Sequence, residues 1–238
     1  MFNNFFAQIK FISGYPMRRL RSPRKTLISL DHPDIFTKIY EQNSWGGAQS
    51  SSGTGSDSVA TKELISFLPI LLNKYKIESL LDLPCGDFTW MRSALQNLNI
   101  KYIGADIVPK IISNLTAELS PTRDFRVMDI TGSSLPMVDL VFCRDLLFHL
   151  SIDDCLKAID NVLSSKSTFF MTSSHAVSPR FKNIDCISGD YRKIDLFKAP
   201  FNFPPPLEVF KEFRYIGQPQ RHLYLWRIAS LKKDKNSK

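Results

Sequence analysis

At 238 residues the chain is long enough for one α/β domain with appendages and a full hydrophobic core. Its four cysteines form no CxxC pair and no apolar run reaches the roughly 18–20 residues that span a bilayer, which argues against a zinc site, a disulfide framework and a membrane-spanning protein and favours the cytoplasm. The formal charge of +8 lies at the ends, because residues 1–30 carry +6, the last eight residues +3 and residues 31–230 −1, so nucleic acid is not a favoured partner.

The two ends of the chain are predicted to lie outside the folded domain, as a basic arm over residues 1–30 and a basic tail over residues 231–238. The first residues can form a short amphipathic helix whose charges follow its apolar part, the reverse of the order in a secretory signal. Solvated ends are the favoured interpretation. A weak contact between the arm and an anionic membrane surface is the alternative.

Residues 31–78 are predicted to form two helices, over 31–40 and 58–72, with a Gly- and Ser-rich segment between them. Low complexity is typical of a flexible linker. The segment also contains Trp45, which is costly to leave in a linker, and glycines that permit unusual backbone angles near a ligand. An ordered lid over a ligand site and a plain linker therefore both stay open.

The stretch SLLDLPCGDFTW, residues 79–90, predicts a buried strand, a tight turn and the start of a helix over 88–95. Asp87 is placed to cap that helix. A strand, a small-residue turn and a helix N-terminus are the arrangement that binds nucleotide-like ligands in open α/β sheets. Gly86 lets the backbone approach such a ligand, because a Cβ there would collide with it.

A second strand, KYIGAD, ends at Asp106, which lies 20 residues after Gly86. An acidic side chain at this distance, at the tip of the next strand, is placed to accept hydrogen bonds from both ribose hydroxyls of a nucleoside. A loop that merely contains a glycine and an aspartate is the alternative. The turn, the spacing and the strand order together favour the nucleoside site.

A helix over 109–119 and a third strand over 124–127 lead to Asp129 and Ile130. The carboxylate can accept a hydrogen bond from an exocyclic amine such as that of adenine, while the isoleucine covers the ring. An ordinary turn aspartate is the alternative interpretation.

The fourth strand, over 137–143, is almost wholly apolar and is predicted to be central in the sheet. Asp145 and His149 follow it, at the edge where open α/β sheets place their chemistry. His149 is the first candidate for a general base. Asp145 and His175, which comes just after a fifth strand over 168–173, are the second candidates. A helix begins at Ser151 with a capping-box pattern that includes Asp154. A hydrogen-bonded packing histidine is the alternative for His149.

A long polar loop, rich in Pro and Phe towards its end, follows the fifth strand in place of a helix, and loops of this length are usually functional. Its side chains that can line an acceptor pocket, together with Trp45, are Tyr191, Arg192, Asp195, Phe201 and Phe203. A surface loop held by its aromatic side chains is the alternative. A short helix over 206–213 and two strands near 214–217 and 223–228, paired as an antiparallel hairpin, are expected to close the domain, and His32 and His222 are assigned no role.

With these pieces placed, residues 34–229 resemble class I S-adenosylmethionine-dependent methyltransferases, through LDLPCGDFTW, Asp106, Asp129-Ile130 and CRDLLFHLS. More narrowly, the chain is similar to bacterial small-molecule methyltransferases with an IYxxNxWG…SSGTGS segment before a PCGDFxWM turn. The resemblance implies an α/β, Rossmann-like sheet of seven strands in the order 3-2-1-4-5-7-6, the last strand antiparallel. It implies one domain over 31–230, with a lid and helix at 31–78 and the core at 79–230.

The resemblance also implies S-adenosylmethionine as the cofactor. Metal dependence stays open, although no cluster of ligands in the sequence argues for a metal. The turn would surround its methionine end, Asp106 its ribose and Asp129 its adenine amine. The implied cofactor contacts are Asp82, Pro84, Cys85, Gly86, Asp87, Phe88, Asp106, Ile107, Asp129, Ile130, Cys143 and Arg144.

The expected activity is methyl transfer to oxygen of a small-molecule or glycan-type acceptor. A nicotinamide-dependent oxidoreductase would use similar geometry, but G-x-G-x-x-G and a Tyr-x-x-x-Lys motif are missing. A cofactor-binding scaffold without catalysis is the other alternative.

Overall fold

The computed structural model describes residues 30–46, 50, 52–213 and 217–232. The expected N-terminal amphipathic helix and most of the strand expected near 214–217 lie outside these residues. Helices and strands follow in the order α1 (His32–Glu41), α2 (Ser58–Lys74), β1 (Ser79–Asp82), α3 (Thr89–Ala94), β2 (Lys101–Asp106), α4 (Pro109–Asn114), β3 (Arg123–Val127), β4 (Leu140–Cys143), α5 (Ile152–Ser164), β5 (Phe169–His175), β6 (Glu208–Lys211), β7 (Arg221–Arg227) and α6 (Ile228–Leu231). Single 3-10 turns occupy Thr54–Ser56, Thr116–Glu118 and Leu147–His149.

The seven strands form one sheet in the order β3-β2-β1-β4-β5-β7-β6. Strands β1 to β5 pair in parallel, whereas β7 pairs antiparallel with both β5 and β6. The expected topology is therefore confirmed. Strand order reverses between β1 and β4, and this switch point opens a crevice at the carboxyl ends of the strands, where such sheets bind ligands.

Strand β4 lies at the centre of the sheet, as its apolar sequence predicts, and all four of its residues are fully buried. A parallel strand covered on both faces has no solvent side, so its residues do not alternate between apolar and polar. This rigid centre fixes the position of the segment that follows it, residues 144–150.

The helix starts follow their capping residues. Asp31 accepts a hydrogen bond from the Asp34 amide at 3.0 Å and begins α1. Ser151 accepts from the Asp154 amide at 3.1 Å and begins α5, which confirms the predicted N-cap. Helix α4 is shorter than predicted, because the chain tightens into a 3-10 turn after Leu115.

The helix predicted over 206–213 is wrong, since this segment forms strand β6. Strand β7 is buried in its middle and needs a hydrogen-bonding partner on its outer edge, which β6 supplies with Glu208 opposite Leu225. Phe210 then stacks on Phe67 of α2, with ring centroids 4.4 Å apart. Strand pairing thus overrides the local preference, and β6 is the antiparallel partner of β7. Among the described helices, none combines the length and the apolar character needed to cross a bilayer.

Candidate active site

A cavity of about 390 Å³ opens at the carboxyl ends of β1, β2 and β4. Residues of α1 and of two segments, 52–56 and 217–221, also line it. Most of the residues that the sequence analysis assigned to a site meet here: Trp45, Asp82, Pro84, Cys85, Gly86, Asp87, Asp106, Ile107, Asp129, Ile130, Arg144, Asp145, His149 and Tyr191.

The turn after β1 is held against the neighbouring strand by a hydrogen bond from the Cys85 amide to the Ala105 carbonyl at 2.7 Å. Gly86 follows with φ of +55°, a conformation that side chains rarely adopt, and a Cβ there would overlap Ser52 Oγ. The turn therefore needs glycine for both its backbone angle and its close neighbour.

Asp87 is not the N-cap of α3, as the sequence analysis expected. Phe88 occupies that position with φ of +60°, its ring buried against Tyr102 and Phe125 and away from the cavity. The Asp87 carboxylate nevertheless accepts from the Thr89 amide at 3.1 Å. Asp87 thus lies one residue before the N-cap, and its carboxylate still accepts a hydrogen bond from the first amide of α3.

Asp106 joins the ends of β1 and β2. Its carboxylate accepts from the Gly86 amide at 3.2 Å and from the Val108 amide at 3.0 Å, so the predicted pairing of glycine turn and spaced acid exists. Burial raises the pKa of Asp106 to about 6, although these amides oppose the shift. A carboxylate has about four acceptor sites, so further donors can bind from the cavity.

Asp82 lies deeper, at the end of β1, and accepts a hydrogen bond from the Tyr102 hydroxyl at 2.8 Å. Burial raises the pKa of Asp82 to about 8, against the effects of Tyr102 and of the nearby Arg144. This carboxyl group therefore carries a proton near neutral pH.

At the far end of the cavity, Asp129 accepts from the Thr131 amide and hydroxyl, each at 2.8 Å, and faces His32 Nδ1 at 3.3 Å. Burial alone would raise the pKa of Asp129, but the hydrogen bonds from His32 and Thr131 hold it below its usual value. The sequence analysis assigned His32 no role, yet His32 lines the cavity. Its contact with Asp129 joins residues 97 apart in sequence, so no local sequence pattern predicts it.

The end of β4 carries a buried network of two guanidinium and two carboxylate groups. Arg144 binds Glu212 at 2.8 Å and also donates to the Gly55 carbonyl at 2.8 Å. Arg221 binds Glu212 at 3.4 Å and pairs with Asp145. The network fixes segment 52–56 against the sheet. It also engages the Asp145 carboxylate, which pairs with Arg221 and accepts a hydrogen bond from the Ser173 hydroxyl at 3.0 Å.

His149 lies in the 3-10 turn after β4, between the rings of Trp45 and Tyr191, whose centroids are 5.4 and 5.9 Å from its own. Its Nδ1 is 2.9 Å from the Asp190 carbonyl oxygen, which can only accept, so the ring proton resides on Nδ1. Nε2 therefore keeps its lone pair. Burial lowers the pKa of His149 to about 4, so the ring is neutral near pH 7.

His175 is buried behind Tyr191 and does not reach the cavity wall. The Ile194 amide donates to His175 Nδ1 at 3.2 Å, which leaves the ring proton on Nε2, and Nε2 is 3.1 Å from the Tyr191 hydroxyl. His175 thus positions Tyr191, and its expected place at the catalytic edge is corrected.

Three more expected site residues are absent from the cavity lining that the described residues form. Cys143 is enclosed in β4. Arg192 donates to the Ile184 carbonyl at 2.9 Å and the Leu147 carbonyl at 3.3 Å, which ties the long loop to the core. Phe203 packs on Trp226, with centroids 5.0 Å apart. Lining residues that the sequence analysis did not single out include His32, Phe36, Tyr40, Ser52, Trp90, Phe148, Gln218, Pro219 and Arg221.

Residues 81–171 match the family model described as a methyltransferase domain. No curated protein matches the chain. Among solved structures, the 1,6-didemethyltoxoflavin-N1-methyltransferase of Burkholderia thailandensis is similar with a TM-score of 0.62 and 13% identity, over 85% of this chain and 88% of that chain.

Two further solved structures are similar. The magnesium protoporphyrin IX methyltransferase of Synechocystis PCC 6803 has a TM-score of 0.59 and 13% identity, over 83% of this chain and 98% of that one. The N-methyltransferase NodS of Bradyrhizobium japonicum WM9 has a TM-score of 0.57 and 16% identity, over 80% and 97%. At these identities the likeness shows a shared fold. Residues 81–171 thus match the model of a methyltransferase domain, and the sheet that contains them has the fold of solved methyltransferases.

Proposed function

We propose that this protein transfers a methyl group from S-adenosylmethionine to a hydroxyl oxygen of a small-molecule or glycan-type acceptor. The observation that carries the proposal is His149, a neutral imidazole with a free lone pair, in the cavity that also holds the Gly86 turn and Asp106. The methyltransferase domain supports the reaction class, and solved neighbours with the same fold contain the cofactor or its demethylated product.

The residues present fit this cofactor. Gly86 offers backbone without a side chain for the methionine end, Asp106 offers buried acceptor sites for the ribose, and Asp129 with Ile130 offers an acceptor and an apolar side chain for the adenine amine and ring. The cofactor supplies a methyl group already activated on a positively charged sulfur. The chain's own task is to bind, to align the acceptor and to exclude water.

His149 Nε2 would accept the hydroxyl proton as the acceptor oxygen takes the methyl group and the bond between that methyl group and the sulfur breaks. A weak base is sufficient, because an oxygen that gains a methyl cation becomes strongly acidic during the transfer. The Asp190 carbonyl holds the ring in place through Nδ1 and stabilises the positive charge that develops on it. Trp45 and Tyr191 present aromatic faces on either side, which suits a flat or partly apolar acceptor, and Trp45 with segment 52–56 serves as the lid.

Calorimetric titration with S-adenosylmethionine, S-adenosylhomocysteine and NADH tests the cofactor. We expect micromolar binding of the first two and none of NADH. Binding of NADH alone would favour an oxidoreductase, and binding of none would contradict the cofactor assignment. Labelled methyl transfer to a pool of hydroxylated compounds then separates an enzyme from a scaffold, and analysis of the product shows whether oxygen carries the label.

Replacing Asp106 with Asn is expected to weaken binding of S-adenosylhomocysteine by roughly 10- to 100-fold, since stranding buried hydrogen-bonding groups costs about 1–3 kcal/mol. The matched control is Asp124→Asn on β3, an exposed carboxylate paired with Arg126 at 2.6 Å outside the cavity. Calorimetry of both variants gives the comparison. Unchanged affinity in Asp106→Asn would remove this residue from the cofactor site.

A further inference from the structure

We propose that His32, as an imidazolium, is a positioning residue that orients Asp129 towards the adenine amine and clamps α1 over that end of the cavity. Cofactor affinity then falls when His32 loses its proton. This inference rests on the proposed function. It assigns to that site a residue and a proton-linked control that the reaction chemistry itself does not require.

The geometry around the ring sets its protonation. Nδ1 of His32 is 3.3 Å from Asp129 Oδ2, and Nε2 is 3.0 Å from Asp154 Oδ2. An ionised carboxylate can only accept hydrogen bonds, so both contacts are satisfied only if both ring nitrogens carry hydrogen. A neutral ring would turn one lone pair towards a carboxylate oxygen.

The charged groups around His32 come from two parts of the fold. Asp129 follows β3, whereas Asp154 and Lys157 belong to α5, with Lys157 Nζ 3.0 Å from Asp154 Oδ1. With His32 protonated, the two cations balance the two carboxylates. Hydrogen bonding to Asp129 raises the pKa of His32, burial opposes it, and Asp154 adds to the increase.

Asp154 joins three parts of the fold. Besides His32 from α1, the hydroxyls of Ser151 at the start of α5 and Ser188 in the long loop each donate to its Oδ2 at 2.7 Å. The pKa of Asp154 is lowered, because these donors together outweigh burial, which acts in the opposite direction. The carboxylate is therefore a fixed anion against which His32 is held.

Asp129 has its acceptor sites divided by these contacts. Both Thr131 donors bind Oδ1, and His32 binds Oδ2, which leaves one acceptor position on Oδ2. One position matches one hydrogen of an exocyclic amine. The imidazolium thus selects both the rotamer and the ionised state of the carboxylate.

Loss of the proton affects the wall as well as the carboxylate. Helix α1 also carries Phe36 and Tyr40, which line the same cavity. Without the imidazolium, the first turn of α1 loses its attraction to both Asp129 and Asp154, so this end of the wall is held less firmly although Ile35 and Ile39 remain in the core.

The direction of the effect follows from linkage. A pKa raised in the folded protein gives stability that is fully present below the unfolded value of 6.5 and is lost as pH rises through the folded value. Because linkage is reciprocal, a bound cofactor raises the pKa of His32 further. Asp106, whose pKa is about 6, weakens binding at lower pH, so the measurement belongs above pH 6.5.

The test measures the dissociation constant of S-adenosylhomocysteine between about pH 6.5 and 9.5 for the wild type, His32→Gln and the control His222→Gln in β7. We expect the wild type and the control to lose about tenfold in affinity across the range, the usual size of such a coupling. His32→Gln should bind with the weak, high-pH constant throughout. Equal pH dependence in all three proteins would overturn the inference.

NMR titration of the histidine ring signals, assigned with the same variants, gives a second readout in the protein without cofactor. We expect a His32 pKa above 6.5 that decreases in Asp154→Asn, where one of the two carboxylates is removed. A His32 pKa at or below 6.5 would also overturn the clamp. Absence of S-adenosylhomocysteine binding at every pH, with a normally raised His32 pKa, would instead show that the proposed function has failed.

Discussion

Replacing Gly86 with Ala is expected to weaken binding of S-adenosylhomocysteine by at least about tenfold and up to several hundredfold. The left-handed angle of +55° alone costs an alanine roughly 1–2 kcal/mol. In addition, the new methyl group would overlap Ser52 Oγ, which accepts a hydrogen bond from the Asp87 amide at 3.3 Å. Relief of that overlap requires the Ser52 hydroxyl to rotate away from the Asp87 amide or the turn to move, and both residues line the cavity.

The matched control for this variant is Gly132→Ala. A Cβ at Gly132 meets no atom within 4 Å, and this residue does not line the cavity. Calorimetry should therefore give wild-type affinity for the control, and thermal melting should show both variants folded. Wild-type affinity in Gly86→Ala would mean that the turn does not hold the cofactor.

The part of the site that the sequence predicted is the part encoded locally. A buried strand, a turn with one glycine and an acid at the tip of the next strand lie close in sequence, and parallel pairing of β1 with β2 brings them together. The hydrogen bond from the Gly86 amide to Asp106 is the direct result. Short-range patterns of this kind also located β4 and the start of α5.

The remainder depends on contacts between distant segments. The Gly- and Ser-rich segment could be read as lid or linker, and its position at Gly55 depends on Arg144, which is 89 residues away. Arg144 in turn is fixed by Glu212, which follows the strand that was mistaken for a helix. Because the sequence pattern predicts a helix over 206–213, it does not indicate that Glu212 pairs with Arg144 and Arg221.

The same argument explains the corrections in the long loop. Aromatic and charged residues there predict an acceptor pocket. In the structure, however, Arg192 hydrogen-bonds the Ile184 carbonyl and Phe203 packs on Trp226. Composition does not show on which side of a loop a side chain lies. Only Tyr191, positioned by His175 of β5, reaches the cavity among the five loop residues considered.

Replacing His149 with Asn is expected to lower kcat by roughly 100- to 10,000-fold, the usual contribution of a general base. The dissociation constant of S-adenosylhomocysteine should stay within about twofold of wild type. Such a change is small compared with a tenfold change, which corresponds to about 1.4 kcal/mol of binding free energy. Asn can still donate to the Asp190 carbonyl, which His149 Nδ1 contacts at 2.9 Å, but it offers no lone pair that can take a proton at Nε2. The matched control is His222→Asn.

The pH profile strengthens this test, because a base with a pKa of about 4 is already neutral near pH 7. Protonation of His149 should therefore affect wild-type kcat little above pH 6 and should lower it as pH falls towards 4. The free energy of unfolding should also decrease as pH falls from 6.5 towards 4. In this range the unfolded chain binds a proton at His149, whereas the folded protein binds it only near pH 4. Equal losses of cofactor binding and turnover in His149→Asn would show a structural role. An unchanged kcat would show that the acceptor atom needs no base. A nitrogen acceptor with its own lone pair would behave in this way. That result would contradict methyl transfer to oxygen but not the proposed methyltransferase activity.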